Sequence, residues 1–280
     1  MPRFRSPAKN QQLEVTFVRH GHPQIGKDEL SVEEPLEIRI QERSLAITMR
    51  TPGDDFELVR GFLLSEGVIR SKDDIQTIGY CPTAPIDARE NIINITLRSG
   101  LNLDWDRLSR NVFSSTSCGL CGKASIEACH LNFAPIKTQT SVTFDTLLSL
   151  PERLRQHQHQ FSKTGGLHAA GVFDPDGELV AVFEDVGRHN AVDKILGSQT
   201  DTETDLEDIN GARILFVSGR VSFEIMQKAL AGRFPIIAAV SAPTHLAVEF
   251  AKDSNQTLVG FLRHSSFNIY AHSERIRAQP

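Results

Sequence analysis

Scarcities narrow the field first. Four cysteines, unevenly spread over 280 residues, are too few and too irregular for a disulfide framework. Reduced thiols are the default, and the N-x-S/T matches at Asn94 and Asn255 read as chance. No apolar run approaches the ~20 residues of a membrane span. The amino terminus, M-P-R-F-R-S-P-A-K-N-Q-Q, has no hydrophobic stretch like that of a signal peptide, so a cytoplasmic location is expected. A basic excess is missing too. Net charge is −5 and the pI near 6.1, which argues against nucleic acid as a partner. Neither a G-x-G-x-x-G nor a Walker sequence occurs.

What remains is an ordinary soluble composition, 40% hydrophobic and 23% charged, long enough for one large or two modest domains. Residues 1–27 are polar and punctuated by Pro7, Gly21, Pro23 and Gly26, and are expected to be a tail or an added edge segment. Alternating residues 36–40 and 45–49 predict two strands around a polar turn at 41–43. Thr51-Pro52-Gly53-Asp54 should end the second strand and cap a helix over 55–68, with Phe56, Val59, Phe62 and Leu63 on one stripe. Strands follow at 75–80 and 91–97, then a short helix at 103–112. Residues 28–135 are thus expected to form a small α+β domain, and 136–280 an α/β domain.

The second domain should open with a helix over 143–160, capped by Thr143 and kinked by Pro151. His157 and His159, two apart, do not share a helix face and read as a solvated last turn rather than a metal pair. Strands at 167–173 and 179–183 flank a hairpin signal, Asp174-Pro175-Asp176-Gly177. Next comes the polar run 184–194, E-D-V-G-R-H-N-A-V-D-K, which opens a short helix. Two readings stand for it. Asp185, Arg188 and Asp193 could form a structural ion-pair network, or the run could wall a pocket with His189 and Asn190 orienting a ligand. His168, alone in an apolar strand, is a secondary candidate beside its reading as a satisfied core residue.

The last third alternates strands (213–217, 235–240, 257–262) with helices (222–230, 245–252), the pattern of a parallel sheet with right-handed crossovers. Three loops then share its carboxyl edge: Ser218-Gly219-Arg220, Ser241-Ala242-Pro243-Thr244 and Arg263-His264-Ser265-Ser266. Open α/β sheets bind ligands at that edge. Helix-start N–H groups, the hydroxyls of Ser218, Ser241, Thr244, Ser265 and Ser266, and the guanidinium groups of Arg220 and Arg263 suit phosphate oxygens. Each alone is an ordinary cap. Three together favour a nucleotide-like anion.

The most reactive stretch is residues 114–127, S-S-T-S-C-G-L-C-G-K-A-S-I-E. Cys118 and Cys121 stand in a C-x-x-C spacing with glycines inside and after the pair. A thiolate just before a helix start is stabilised by free N–H groups and the dipole, and Lys123 adds a cation. Zinc would need two further ligands, and adjacent Cys129 and His130 are poorly placed to supply both. A redox couple normally follows the first strand of a compact α/β domain. A nucleophilic thiol is the favoured reading.

The cysteine loop, T-G-G-L-H-A-A-G-V-F, E-D-V-G-R-H-N-A-V-D-K-I-L-G, V-S-G-R-V-S-F-E-I-M-Q-K and A-A-V-S-A-P-T-H-L-A-V-E together resemble the formate dehydrogenase accessory sulfurtransferase family, FdhD, from Leu36 to Tyr270. The resemblance implies a sulfurtransferase with a cytidine deaminase-like, three-layer carboxyl-terminal domain and a homodimeric assembly. It implies sulfur received from a cysteine desulfurase as a persulfide on Cys118, with Cys121 as its pair. The sulfur passes to a molybdenum (or tungsten) bis(molybdopterin guanine dinucleotide) cofactor before insertion into formate dehydrogenase. Phe261, Leu262, Arg263, His264, Ser265 and Ser266 match the family's cofactor-binding stretch, and GDP is expected to occupy the same site. The deaminases' zinc motif is not reproduced: His168-Ala169-Ala170 has no partnering Cys pair, so neither deamination nor a resident metal is expected. The rival readings are a non-catalytic cofactor chaperone, which needs no reactive thiol, and a zinc-binding module.

Overall fold

The computed structural model describes residues 8–101, 103, 105, 133–138, 140–200 and 212–278. The chain starts with an antiparallel hairpin, β1 (Asn10–Arg19) and β2 (His22–Ser31), that pairs with no other sheet. The expected tail is therefore a ribbon from residue 10 onward. Its alternating L-x-V-x-F segment is strand-like, and His20 and Gly21, both at positive φ, close the turn.

A four-stranded sheet follows in the order β4-β3-β6-β5. It is built from β3 (Glu34–Ile40), β4 (Arg43–Arg50), β5 (Ile75–Tyr80) and β6 (Ile92–Leu97). These match the expected strands to within two residues, because every second side chain (Leu36, Ile38, Ile40; Ile93, Ile95, Leu97) is buried on one face. Helix α1 (Asp55–Ser65) covers that face and ends three residues earlier than expected. Asp54 does not cap it. Its backbone is left-handed, and its carboxylate binds Lys9 at 2.8 Å instead.

The second sheet has six strands in the order β13-β12-β11-β10-β8-β9. A short parallel pair, β7 (Val142–Thr143) with β14 (Ile276–Arg277), stands beside it. In the large sheet β10 (Ile214–Val217), β11 (Ile236–Ala239) and β12 (Thr257–Arg263) are parallel, as their alternation with helices requires. β8 (His168–Phe173) and β13 (Ser266–Ala271) flank them antiparallel, and β9 (Leu179–Asp185) pairs antiparallel with β8 at the edge. The helix expected over 143–160 is two helices, α2 (Phe144–His157), capped by Thr143, and α3 (His159–Thr164), with buried Gln158 at the break. Two carboxylate contacts hold that break: Glu184 on β9 accepts the N–H groups of Gln160 at 2.9 Å and Phe161 at 2.7 Å. α2 buries Leu147, Leu150 and Leu154 on one face of the sheet, against Phe173 and Phe216. The other face is covered by α4 (Arg188–Gln199), α5 (Phe223–Ala231) and α6 (His245–Asp253).

One hydrophobic core runs from β3 and β6 through α1 and α4 to the inner face of the large sheet. The two expected domains share it. Where α1 crosses α4, a Cβ on Gly61 would stand 1.8 Å from the Asp193 carbonyl oxygen, and one on Gly197 1.8 Å from that of Glu57. Only glycine lets the helix backbones meet so closely. Beside the crossing, Lys228 binds Asp193 at 2.8 Å and the Ser65 hydroxyl at 3.0 Å, all buried. Gly61→Ala and Gly197→Ala are each expected to lower unfolding stability by about 1–3 kcal/mol through overpacking. Gly79→Ala, whose Cβ would meet nothing within 4 Å, is the control. Urea unfolding measures all three, and a Gly61→Ala midpoint equal to the control's would refute the close crossing.

Candidate functional site

The carboxyl edge of β10, β11 and β12 carries the three expected loops side by side, and backbone hydrogen bonds zip them together. Val221 donates to the Ala242 carbonyl at 3.2 Å, Thr244 to Val221 at 2.9 Å, and Phe261 to Ser241 at 3.1 Å. Thr244 caps α6 by accepting the Ala247 N–H. Of the helix-start donors, the Ala247 N–H is thus taken up within the protein, whereas α5 starts at Ser222 without a side-chain cap. Arg263 and Ser266 pair across a tight turn, so the third loop is a hairpin between β12 and β13 rather than the start of a helix. Leu262 is wholly buried in the outer core, with no side-chain atoms at the edge. Phe261 is exposed and left-handed at a β-bulge, φ 54°, an unusual conformation for a bulky residue.

A cavity of about 550 Å³ lies between this edge and the α2–α3 break. Of the predicted residues it brings together Ser218 and His264, and it adds His168, whose strand runs antiparallel to β10 and so begins at the same edge. Ser218 accepts the Ala169 N–H at 2.9 Å, which leaves its own proton to donate into the cavity. Gly219 packs under His168, whose Nδ1 a Cβ there would meet at 3.3 Å. The cavity does not include Arg220, Ser241, Thr244, Ser265 or His189. Arg220 and Ser265 are exposed at the edge. Cys118 and Cys121, with the loop 114–127, lie outside the described residues.

Sequence reasoning missed the opposite wall. Glu152, Arg155, Gln158 and Phe161 line it, and the Arg155 guanidinium lies over the Phe161 ring, 4.7 Å from its centroid. The R-Q-H-Q-H-Q stretch read as a solvated last turn because its break is imposed by Glu184, far away in sequence.

Within the polar run 184–194, Asp185 and Asp193 pair with Lys194 and Lys228 rather than with Arg188, whose buried Nε has no partner. Asp185 binds Lys194 at 2.9 Å, with both side chains wholly buried, and accepts the N–H groups of Thr51 and Gly187. Asn190 donates to Asp185 and to the Met49 carbonyl. His189 binds Glu224 at 2.9 Å and Ser222 at 3.3 Å, and this contact holds the Glu224 carboxyl below its ordinary range. His189 and Asn190 thus bond to the protein's own groups, and neither lines the cavity at the strand edge.

A sequence model of the FdhD/NarQ family matches residues 31–277. The chain belongs to that family. A Streptomyces coelicolor protein named sulfur carrier protein FdhD is 48% identical over 272 residues, 95% of each chain. A Sulfolobus acidocaldarius protein of the same name is 43% identical over 265 residues, 95% of this chain and 98% of that one. The crystal structure of a candidate formate dehydrogenase accessory protein from Desulfotalea psychrophila superposes with a TM-score of 0.75 at 24% identity, covering 96% of this chain and all of that one. That likeness is one of fold, and the fold is mixed α/β. Among the described residues no helix is long and apolar enough to cross a membrane.

Within this FdhD/NarQ chain His168 lines the cavity and carries a shifted pKa. Burial first, then the neighbouring charges of Arg188 and His189, push its pKa down, against a smaller opposing pull from Asp185. An imidazole held below its free value of about 6.5 stays neutral in the fold while the unfolded chain takes up the proton first. Stability should therefore fall as pH drops below about 6.5. His168→Gln is expected to remove that share of the decline in urea midpoints between roughly pH 7 and 5, and an unchanged slope counts against a neutral, cavity-facing imidazole.

Proposed function

We propose that this chain is a sulfur carrier that takes sulfur from a cysteine desulfurase as a persulfide on Cys118. It delivers that sulfur to a bis(molybdopterin guanine dinucleotide) cofactor destined for formate dehydrogenase. The family and the names of its relatives support the carrier role. The observation that carries the cofactor half is the cavity at the parallel strands' carboxyl edge, where Ser218 and His264 converge opposite Arg155 and Phe161. Its volume falls in the range of small-molecule sites. It suits one nucleotide end of the cofactor: hydroxyl, imidazole and guanidinium donors for phosphate oxygens, and an aromatic–guanidinium stack beside a base. The sheet with α2 on one face and α4, α5 and α6 on the other supports the three-layer, deaminase-like reading of this half.

The chemistry follows from sulfur. The Cys118 thiolate attacks the outer sulfur of the donor's persulfide, the donor S–S bond breaks, and the donor leaves as a thiolate. The outer sulfur could then pass to the metal of the bound cofactor, leaving Cys118 as a thiolate; the two electrons that turn it into a sulfido ligand would come from the metal, which is oxidised by two. Alternatively Cys121 attacks the inner sulfur and releases hydrosulfide, and the resulting disulfide must be reopened by a thiol reductant. The enzyme is in that sense a sulfurtransferase.

Cys118→Ala is expected to abolish support of formate dehydrogenase activity in a null background; retained activity refutes the persulfide and leaves the chaperone reading. The pocket is tested separately. Calorimetry with GDP should show binding that Ser218→Ala and His264→Ala each weaken by about fivefold to tenfold, the loss of one hydrogen bond. Equal affinity in all three proteins refutes this cavity as the nucleotide site.

A further inference from the structure

Gln158, at the break between α2 and α3, differs from the other buried amides among the described residues. Those are bonded within the protein. Asn190 donates to Asp185 and to the Met49 carbonyl, Gln199 accepts from Arg213, and Gln256 donates to the Phe234 carbonyl and accepts from Ser254. Gln158 is 6% exposed, and its backbone is satisfied. Its N–H donates to the Arg155 carbonyl at 3.3 Å, and its own carbonyl accepts from the Ser162 N–H at 3.0 Å and hydroxyl at 2.7 Å. Its carboxamide bonds to no described residue, yet neither amide atom is among those sealed from solvent without a partner. The group opens instead into the cavity, whose wall Gln158 forms with Glu152, Arg155 and Phe161. A buried amide without a bond is costly, so a ligand that supplies both a donor and an acceptor there is favoured.

The neighbours narrow the ligand. Gln158 falls between the two partners of a stack, Arg155 three residues before it and Phe161 three after, with the guanidinium 4.7 Å from the ring centroid. Such a pair is a platform for a flat heterocycle. Glu152 lies one turn before Arg155. Its Oε1 accepts the Gln156 amide at 3.3 Å, and its Oε2 has no partner among the described residues. A carboxylate repels phosphate. This wall therefore suits a base, and the diphosphate is left to Ser218 and His264 across the cavity.

We propose that Gln158 and Glu152 select guanine at this site. The inference rests on the nucleotide reading of the cavity and deepens it by naming what tells one base from another. Guanine presents O6 as an acceptor, with N1–H and N2–H as donors, along its pairing edge. Gln158 Nε2 donates to O6, Gln158 Oε1 accepts N1–H, and the Glu152 carboxylate accepts N2–H. The amide alone cannot choose, because turned over it matches the N6–H and N1 of adenine equally well. The carboxylate decides, since adenine carries only C–H at that position. A site built from hydrogen-bonding groups rejects the analogue that leaves them unpaired.

Calorimetry on the full chain with GDP, IDP and ADP tests this, IDP lacking only the N2 amino group of GDP. The parent protein is expected to prefer GDP to IDP by about fivefold, and to bind ADP no better than IDP. Glu152→Ala should erase the difference between GDP and IDP. Gln158→Met, of similar length but with neither polar atom, should weaken GDP and IDP alike by about tenfold. Its urea midpoint should stay at or above the parent's, since no internal bond is lost. Equal affinity of the parent for GDP and IDP overturns the assignment, and does so even if Gln158→Met fails to fold. A Gln158→Met protein that binds GDP as the parent does overturns it too. If Ser218→Ala and His264→Ala weaken GDP while Gln158→Met does not, the base assignment alone falls and the nucleotide reading stands. A parent protein that binds no GDP sinks both.

Discussion

The crossing of α1 and α4 holds the two sheets in one body. Gly61 and Gly197 let the helices approach until backbone meets backbone, and the absence of side chains there leaves little room for adjustment. A close crossing also excludes water from what surrounds it, so the charges nearby must be paired within the protein. Asp193, Lys228 and Ser65 meet that demand on one side, Asp185, Lys194 and Thr51 on the other. Burial pushes the Asp193 carboxyl up, and the Lys228 ammonium opposes that shift. Such networks add little net stability over an apolar core, yet removing one member strands a buried charge at a cost of about 3–5 kcal/mol. Their effect is to make one docking of the two sheets far better than its neighbours.

The same residues explain where the cavity comes from. Asp185 fixes the start of α4, and the adjacent Glu184, pointing the other way from the strand, holds the first N–H groups of α3. One dipeptide at the end of β9 thus ties the inter-sheet core to the α2–α3 break. Alternation along the strand makes this possible, since successive side chains leave by opposite faces. The cavity wall that carries Arg155 and Phe161 is in this way coupled to the position of the amino-terminal sheet.

Much of this was legible in the sequence, and the limits are instructive. The strands of both sheets follow from period-two burial, and the parallel order from helices alternating with short apolar runs. Thr143 and Thr244 were readable as caps because a cap is a local event. The run from Glu184 to Lys194 was visibly unusual, but its partners Met49, Thr51 and Ser65 lie more than a hundred residues away, and charge density alone cannot distinguish a buried network from a ligand wall. Asp54 failed as a cap for a related reason: Lys9, in a segment read as a tail, claims its carboxylate. Gln158 could not be read as a break, because what breaks the helix is a carboxylate on β9. Ser218 and His264 were found by placing three loops on one edge. His168 reached the same edge only because β8 runs against its neighbour.

The loops at the carboxyl edge bear on how a ligand can be recognised there. In many open α/β sheets a helix N-terminus offers its free N–H groups to phosphate. Here the strand-to-helix loops use backbone donors on one another, through Val221, Thr244 and Phe261, and the Thr244 hydroxyl on the first turn of α6. In the proposed reading, the side-chain donors at this edge would be the Ser218 hydroxyl, the His264 imidazole on the β12–β13 turn, and the guanidinium and ring of Arg155 and Phe161. Side chains can rearrange where zipped loops cannot, so this edge is a rigid frame with an adjustable lining. Such a lining is compatible with the proposed receipt and release of cargo.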